Sequence, residues 1–344
     1  MAKVVTFGEI MLRLKSPAYE RLFQSPTLEA TFGGGEANVS VSLANYGMDT
    51  TFVTVLPDND IGNACIRELR GFGVDTTKIV RTAGRMGIYY LETGAVQRPS
   101  KVIYDRAGSC IAEAKPGDID WKDVFQGADW FHLTGITPAI SQGAADLSLE
   151  AVKAAKAMGV HVSCDLNYRK NLWKYGKRAD EVMREVVKYV DTVIANEEDV
   201  QKALCISAES ASAVDEGEID VELYKTICAK AMEAYPNVSR VAITLRESKS
   251  ANHNDWSACL YNGKDFFHSR KYSITDIVDR VGGGDSFGGG LIYGLLHYQD
   301  DAKALEFAVA ASCLKHTILG DYNRMSAKEV ESLMNGSGTG RVQR

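Results

Sequence analysis

The chain has no Cys-x-x-Cys pair; its seven cysteines are scattered at positions 65, 110, 164, 205, 228, 259 and 313. That spacing offers neither a disulfide framework nor a zinc ribbon, and reduced, core-filling thiols are expected. Six histidines form no His-Glu-x-x-His or related pattern, so transition-metal chemistry has no support. No apolar run approaches the roughly 20 residues of a membrane span. The start, Met1-Ala2-Lys3 followed by Val4-Val5-Thr6-Phe7, carries no signal-peptide pattern, and a cytoplasmic location is expected. A Walker A loop is missing, and no Gly-x-Gly-x-x-Gly follows the first strand, which disfavours a P-loop site and a dinucleotide dehydrogenase. Positive charge is in short supply too. A net charge of −6 argues against a general nucleic-acid or anionic-membrane surface and leaves room only for a local basic pocket.

What is present is a large apolar fraction and glycine in clusters. At 344 residues and 45% hydrophobic content, the chain can bury a core in one large or two smaller domains. Strand-like runs are expected at Val4–Phe7, Thr51–Leu56, Trp130–Thr134, Val160–Leu166, Thr192–Ala195 and Val241–Leu245. Helical patterns cover Ala37–Tyr46, Ile61–Gly71, Ala144–Met158, Ala179–Val187, Val221–Tyr235, Phe287–Tyr298 and Ala302–Leu319. Their alternation predicts βαβ units and a mainly parallel sheet. Ile10–Phe32 and Met86–Ala107 break the alternation with short extended patterns, read as a small β element or lid. Ser207–Asp220 reads as an acidic surface excursion and Asn335–Arg344 as a disordered tail.

The most informative stretch is Asp279-Arg280-Val281-Gly282-Gly283-Gly284-Asp285-Ser286-Phe287. Glycines let a backbone turn its N–H groups toward one anion, and a following helix adds its positive end. A carboxylate there suits proton transfer rather than phosphate binding, so Asp285 is the candidate general base of a phosphoryl transfer. Taken alone, the loop reads first as a tight turn before a helix. Gly284-Asp285-Ser286-Phe287-Gly288 also matches the Gly-x-Ser-x-Gly elbow of serine hydrolases, with Asp301 and His316 following in triad order. Too little chain follows for the rest of a hydrolase sheet, and the kinase reading ranks above it.

Further polar clusters follow expected strands: Asp165 to Arg169, Asn196 to Asp199, and Thr244 to Arg246. Ligands of open α/β sheets sit at such strand ends. Gly33-Gly34-Gly35-Glu36-Ala37-Asn38 opens a helix and suits close approach by a hydroxyl-rich ligand, or is a flexible turn. Tyr89, Tyr104, Arg106 and Arg169, each common on surfaces, together suggest an organic-anion pocket, because guanidinium binds carboxylate through two hydrogen bonds. Asn196 to Asp199 is either the favourable first turn of a helix or a holder of hydrated Mg²⁺.

The Asp279–Phe287 run resembles the C-terminal signature of the ribokinase-like (PfkB) carbohydrate kinases, and Gly33–Asn38 resembles their N-terminal signature. Within that family the likeness is strongest to 2-keto-3-deoxygluconate kinases, through Gly8 to Leu14, Tyr104-Asp105-Arg106, Asp165 to Arg169 and Leu319 to Asn323. The resemblance implies a three-layer α/β/α sandwich with a small β-sheet lid. One kinase domain would span 1–334, with the lid from about 10–32 and 86–107, and 335–344 a flexible tail. It implies ATP-dependent phosphorylation of a sugar-acid hydroxyl, with Asp285 as base and Gly282, Gly283 and Gly284 as the anion hole. Gly34, Asn38, Tyr89, Tyr104, Arg106, Arg169 and Asp321 would bind substrate. Asn167, Thr244 and Asn323 would lie near ATP, and Asn196 with Asp199 near Mg²⁺. A monovalent cation and a homo-oligomer formed through the lid belong to the same expectation. Kinases for another keto-sugar or fructose, and a non-catalytic sugar sensor, are the alternatives. Three departures stand out: Gly283 replaces the usual alanine, Asp199 the usual glutamate, and Arg246 the usual glycine, with an unusual segment at Glu247–Asp255.

Overall fold

Short runs such as Lys3–Phe7 and Thr192–Ala195 are buried along almost their whole length. Strands covered by helices on both faces have this continuous apolar character. The computed structural model, which describes residues 2–207, 221–336 and 338, places them in a nine-stranded sheet. In spatial order the path runs Phe266–His268, Asn254–Tyr261, Arg240–Ser248, Thr192–Ala195, His161–Asp165, Trp130–Thr134, Lys3–Phe7 and Asp49–Val53; Tyr272–Ile274 also pairs with Asn254–Tyr261. Every pairing from Asp49–Val53 through Arg240–Ser248 is parallel. The turn back at Asn254–Tyr261 makes that edge antiparallel.

Each face of the sheet carries its own core. On one, Phe131 and Val162 pack with Leu147, Val187 and Ile227; on the other, Ala258 and Leu260 pack with Phe287, Leu291 and Leu305. The helix Gly283–Tyr298 in the second layer is buried along most of its length from Gly283 to Gly294. Glycine in a helix interior costs about 1 kcal/mol relative to alanine. Here it permits close packing: a Cβ on Gly290 would lie 2.9 Å from Ala308 Cα, and one on Gly294 2.6 Å from Ala304 Cα. The helix is thereby held against Asp301–Lys315, and the position of its N-terminus is set.

Lys3–Phe7 lies between Asp49–Val53 and Trp130–Thr134, so the chain builds one way from it and then the other. Such a switch point leaves a crevice beyond the strand ends. A separate four-stranded sheet, Glu29–Gly33, Met11–Lys15, Ile88–Glu92 and Lys101–Asp105, stands over this end. The three-layer fold and the additional small sheet are those expected from the sequence.

The differences are local. The single strand expected at Thr51–Leu56 is two: Asp49–Val53 stays in the main sheet, while Val55–Pro57 pairs with Val80–Thr82. Asn254–Tyr261 is a strand no sequence pattern announced, because buried Asn254 and Ser257 interrupt its apolar alternation. The helix expected to reach Leu319 ends at Lys315, whose ammonium turns inward to the carbonyls of Asp279 (3.2 Å) and Ile318 (3.4 Å). The acidic excursion, apart from Ser207, and most of the tail lie outside the described residues.

Candidate active site

The two glycine clusters, some 250 residues apart in sequence, meet at Asp321. Gly282 holds φ +82° at the start of its helix, and a Cβ there would lie 2.0 Å from the Asp321 carbonyl oxygen. On the other side, a Cβ on Gly33 would lie 2.0 Å from Asp321 Oδ2. Neither approach is open to a larger residue. The first helical hydrogen bond after Gly282 is donated by Ser286 N (2.8 Å), so the N–H groups of Gly284 and Asp285 precede the regular ladder. Donors at a helix start face an anion readily.

Asp285 sits over Gly35: a Cβ on that glycine would be 3.5 Å from Asp285 Oδ1. Asn38 Nδ2 donates to Asp285 Oδ2 at 2.7 Å, while Asn38 Oδ1 accepts from Gly34 N at 3.3 Å. The N-terminal cluster therefore orients the carboxylate of the C-terminal one. Burial pushes the Asp285 carboxyl up to about 6, reinforced by Asp321 and opposed by the Asn38 hydrogen bond, Arg169 and Lys315. A base must be ionised to accept a proton. The kcat/KM of the protein is therefore expected to fall about tenfold per pH unit below about pH 6. In Asn38→Leu the limb should move to higher pH, since a bond that favours the carboxylate is lost. A wild-type profile flat to pH 5 would contradict the assignment.

Asp321 is held by two groups. Arg13, 1% exposed, bridges its carboxylate and that of Asp279, and Tyr89 Oη donates to Asp321 Oδ1 at 2.6 Å. Burial alone would lower the Arg13 pKa; Asp321, Tyr89 and Asp279 outweigh it and raise it. Asp279 also accepts from the backbone N–H of Val281 and Gly320. Beneath the N-terminal cluster, buried Glu36 accepts from Thr134 N, Thr134 Oγ1 and Thr137 Oγ1. Burial lifts its pKa to about 7.

The cleft encloses about 790 Å³ and is lined by Gly34, Asn38, Tyr89, Tyr104, Asn167, Arg169, Asn196, Asp199, Thr244, Gly282, Gly283, Gly284, Asp285 and Asp321. Those sequence-predicted residues come together. Two others do not line it. Arg106 gives Nε and Nη2 to Glu9 and lies 5.1 Å from the Tyr104 ring, so its guanidinium is committed beside the pocket. Asn323, 1% exposed, donates to Tyr46 Oη and Ser286 Oγ, both at 2.8 Å, which makes it a core link rather than a cleft residue. Asn196 and Asp199 form a reciprocal cap of the helix Glu197–Leu204, and Asp199 Oδ1 also accepts from Tyr168 N. Among the described residues no group of three His, Cys, Asp or Glu side chains is set to hold a metal ion.

The sequence motifs contained Arg13, Asp279 and Asp165 but gave none of them a role. Asp165 lines the cleft; burial, then Asp199 and Asp285, push its pKa well up. A signal existed for Arg13 and Asp279, since both are charged residues inside otherwise apolar or glycine-rich motifs.

The hydrolase triad is not assembled. Ser286 is buried within a helix and bonded to Asn323, Asp301 is held by Arg240 and Asn262, and His316 Nδ1 meets Ser312 O at 2.7 Å. His316 instead packs against the glycine loop, where a Cβ on Gly283 would be 2.7 Å from its Cε1.

A half-buried carboxylate beside helix-start amides, at the switch point of a parallel sheet covered by a small one, defines the carbohydrate-kinase class. The chain belongs to the pfkB family of carbohydrate kinases, whose model matches residues 1–327. It is 49% identical to the 2-dehydro-3-deoxygluconokinase of Thermotoga maritima, with a TM-score of 0.91, covering 97% of this chain and 98% of that one. It is 30% identical to the 2-dehydro-3-deoxygalactonokinase of Haloferax volcanii over 98% of each chain. It is 27% identical to the 2-dehydro-3-deoxygluconokinase of Thermoproteus tenax, over 97% of this chain and 94% of that protein. No helix among the described residues is long and apolar enough to cross a membrane.

Proposed function

We propose that the protein transfers the γ-phosphoryl group of MgATP to the terminal hydroxyl of 2-keto-3-deoxygluconate, giving the 6-phosphate and ADP. The observation that carries this reading is Asp285, half-buried over Gly35, hydrogen-bonded by Asn38 and placed at the helix start. Asp285 takes the proton of the attacking hydroxyl as the new O–P bond forms and the bond to ADP breaks. The Gly282–Asp285 amides stabilise the negative charge on the transferring group. Gly34, Tyr89, Tyr104 and Asp321 hold the sugar hydroxyls, and Arg169 takes the carboxylate. Arg106 acts through Tyr104. Asn167 and Thr244 lie on the nucleotide side.

Magnesium enters with the nucleotide. Both Asp199 oxygens accept backbone N–H bonds, so Asn196 and Asp199 fit a hydrated ion through water better than by direct ligation. A carbonyl pair beside the glycine loop, of the kind an alkali ion uses, is already taken by the Lys315 ammonium. This reading therefore assigns no monovalent cation there. Closure of the small sheet excludes water and limits wasteful hydrolysis of ATP. The same sheet leaves Val102, Ile103 and Tyr104 exposed on its edge strand, and through it two copies pair.

The galactonokinase relative makes the C4 epimer the main competing substrate. A panel of 2-keto-3-deoxygluconate, 2-keto-3-deoxygalactonate, fructose and another keto-sugar, with coupled ADP detection, separates them. The highest kcat/KM is expected for 2-keto-3-deoxygluconate; a preference for a neutral sugar would overturn the sugar-acid reading, and binding without turnover of any would point to a sensor. Arg169→Ala is expected to weaken kcat/KM for the sugar acid by 10²-fold or so and for fructose only about twofold, because a charge-assisted bond is lost only with the former. Equal losses would remove the carboxylate assignment.

A further inference from the structure

Among the described residues, three arginines line the same cleft without an ion pair: Arg169, Arg246 and Arg280. The side chains of Arg169 and Arg246 make no hydrogen bond to another described residue. Arg280 gives Nη2 to Ser250 O, Ala251 O and Asn254 Oδ1, all neutral acceptors, and its buried Nε has no partner. The acids next to Arg246 and Arg280 in sequence are engaged elsewhere. Glu247 holds Lys249 and Lys271, and Asp279 holds Arg13. The nearest titratable ring, His316, resists protonation, with burial driving its pKa to about 4.

Arg246 is the clearest case. It stands beyond the last parallel pairing of Arg240–Ser248, which falls at Ile243, opposite Trp256 in register, and Trp256 also lines the cleft. Burial, then Arg280 and Arg169, lower its pKa from the ordinary arginine value, so its charged neighbours are cations. Like charges gathered in a partly desolvated cleft repel one another, and an anion carrying several charges relieves that repulsion. Arg280 is two residues from Gly282, so the group borders the helix-start amides. Arg169 differs from the other two in also facing the carboxylates of Asp165, Asp199 and Asp285. A sugar-acid carboxylate brings one negative charge and is served by Arg169. Arg246 and Arg280 match a chain of phosphates.

We infer that Arg246 and Arg280 form a polyphosphate-binding wall of the cleft, supplying from the strand end and the glycine loop the cationic grip that a P-loop lysine supplies elsewhere. This rests on the kinase reading for its biological ligand, but the site is testable without turnover. The probe is inorganic tripolyphosphate, titrated calorimetrically into the full chain, with MgATP, AMP and 2-keto-3-deoxygluconate as comparison ligands. In Arg246→Ala, affinity for tripolyphosphate and MgATP should drop at least tenfold, that for AMP about twofold, and that for the sugar acid should not change. Arg246→Lys should recover part of the loss. An unchanged thermal midpoint would show that the variant is folded.

Tripolyphosphate affinity within twofold of wild type in Arg246→Ala, no binding of tripolyphosphate by wild type, or a loss confined to the sugar acid would each overturn the inference. The two failures stay separate. A wild-type protein that binds tripolyphosphate through Arg246 but phosphorylates no sugar acid keeps the wall and loses the kinase assignment. One that phosphorylates the sugar acid while Arg246→Ala holds MgATP normally keeps the assignment and loses the wall.

Discussion

Replacing Asp285 with Asn is expected to lower turnover about 10³-fold, within the range that a positioned general base contributes, while leaving MgATP affinity within about threefold of wild type. The substitution keeps the shape of the side chain and an oxygen to accept from Asn38 Nδ2. It removes only the capacity to take a proton. Stability should not suffer. Burial raises the folded-state pKa of Asp285 to about 6, above its ordinary value, so at pH 7 the fold carries the cost of a desolvated charge. The Asn variant should melt at the same temperature or higher. Loss of turnover together with early unfolding would mean that Asp285 holds structure rather than chemistry.

The second large effect is one of stability. Arg13→Met should destabilise the protein by about 3–5 kcal/mol, the usual consequence of removing one partner from a buried ion pair. Two carboxylates, Asp279 and Asp321, would be left facing each other in the core with backbone N–H and Tyr89 as their remaining partners. Asp321 anchors both glycine clusters, so residual folded protein should also lose kcat/KM for the sugar. Denaturant unfolding reads the first effect. Asp279→Asn in the Arg13→Met background should restore part of the stability, because one of the two uncompensated charges is then gone. A single-variant loss below about 1 kcal/mol would show that the network contributes little.

The sheet and its helices were legible because inner parallel strands write themselves as short continuous apolar runs. Trp130–Thr134 and Thr192–Ala195 show this, with bounds as expected. The edge hairpin was not, since Asn254 and Ser257 are buried by their neighbours rather than by their own character. The C-terminal helix Ala327–Met334 was overlooked although Ser326 and Glu329 form a capping box that the sequence displays.

In the site, spacing and motif brought Asp285 and both glycine clusters forward. They could not show that Asn38 reaches Asp285, because that pairing spans 247 positions and depends on packing between two helices. Arg106 and Asn323 fall outside the cleft lining for the converse reason. Each matches a motif position, yet Glu9 and Ser286 take the hydrogen bonds that the motif assigns to ligands. Arg13 stands out as a charge within a mainly apolar strand, but its role is visible only once Asp279 and Asp321 are brought to it.

The most direct test of the account is phosphorus NMR of a reaction containing purified protein, MgATP and 2-keto-3-deoxygluconate. The account predicts one phosphomonoester resonance, coupled to a methylene as a terminal phosphate must be, growing in step with ADP in wild type and scarcely at all in Asp285→Asn. Equal growth of that resonance in both proteins, or ADP accompanied only by inorganic phosphate in wild type, would contradict it.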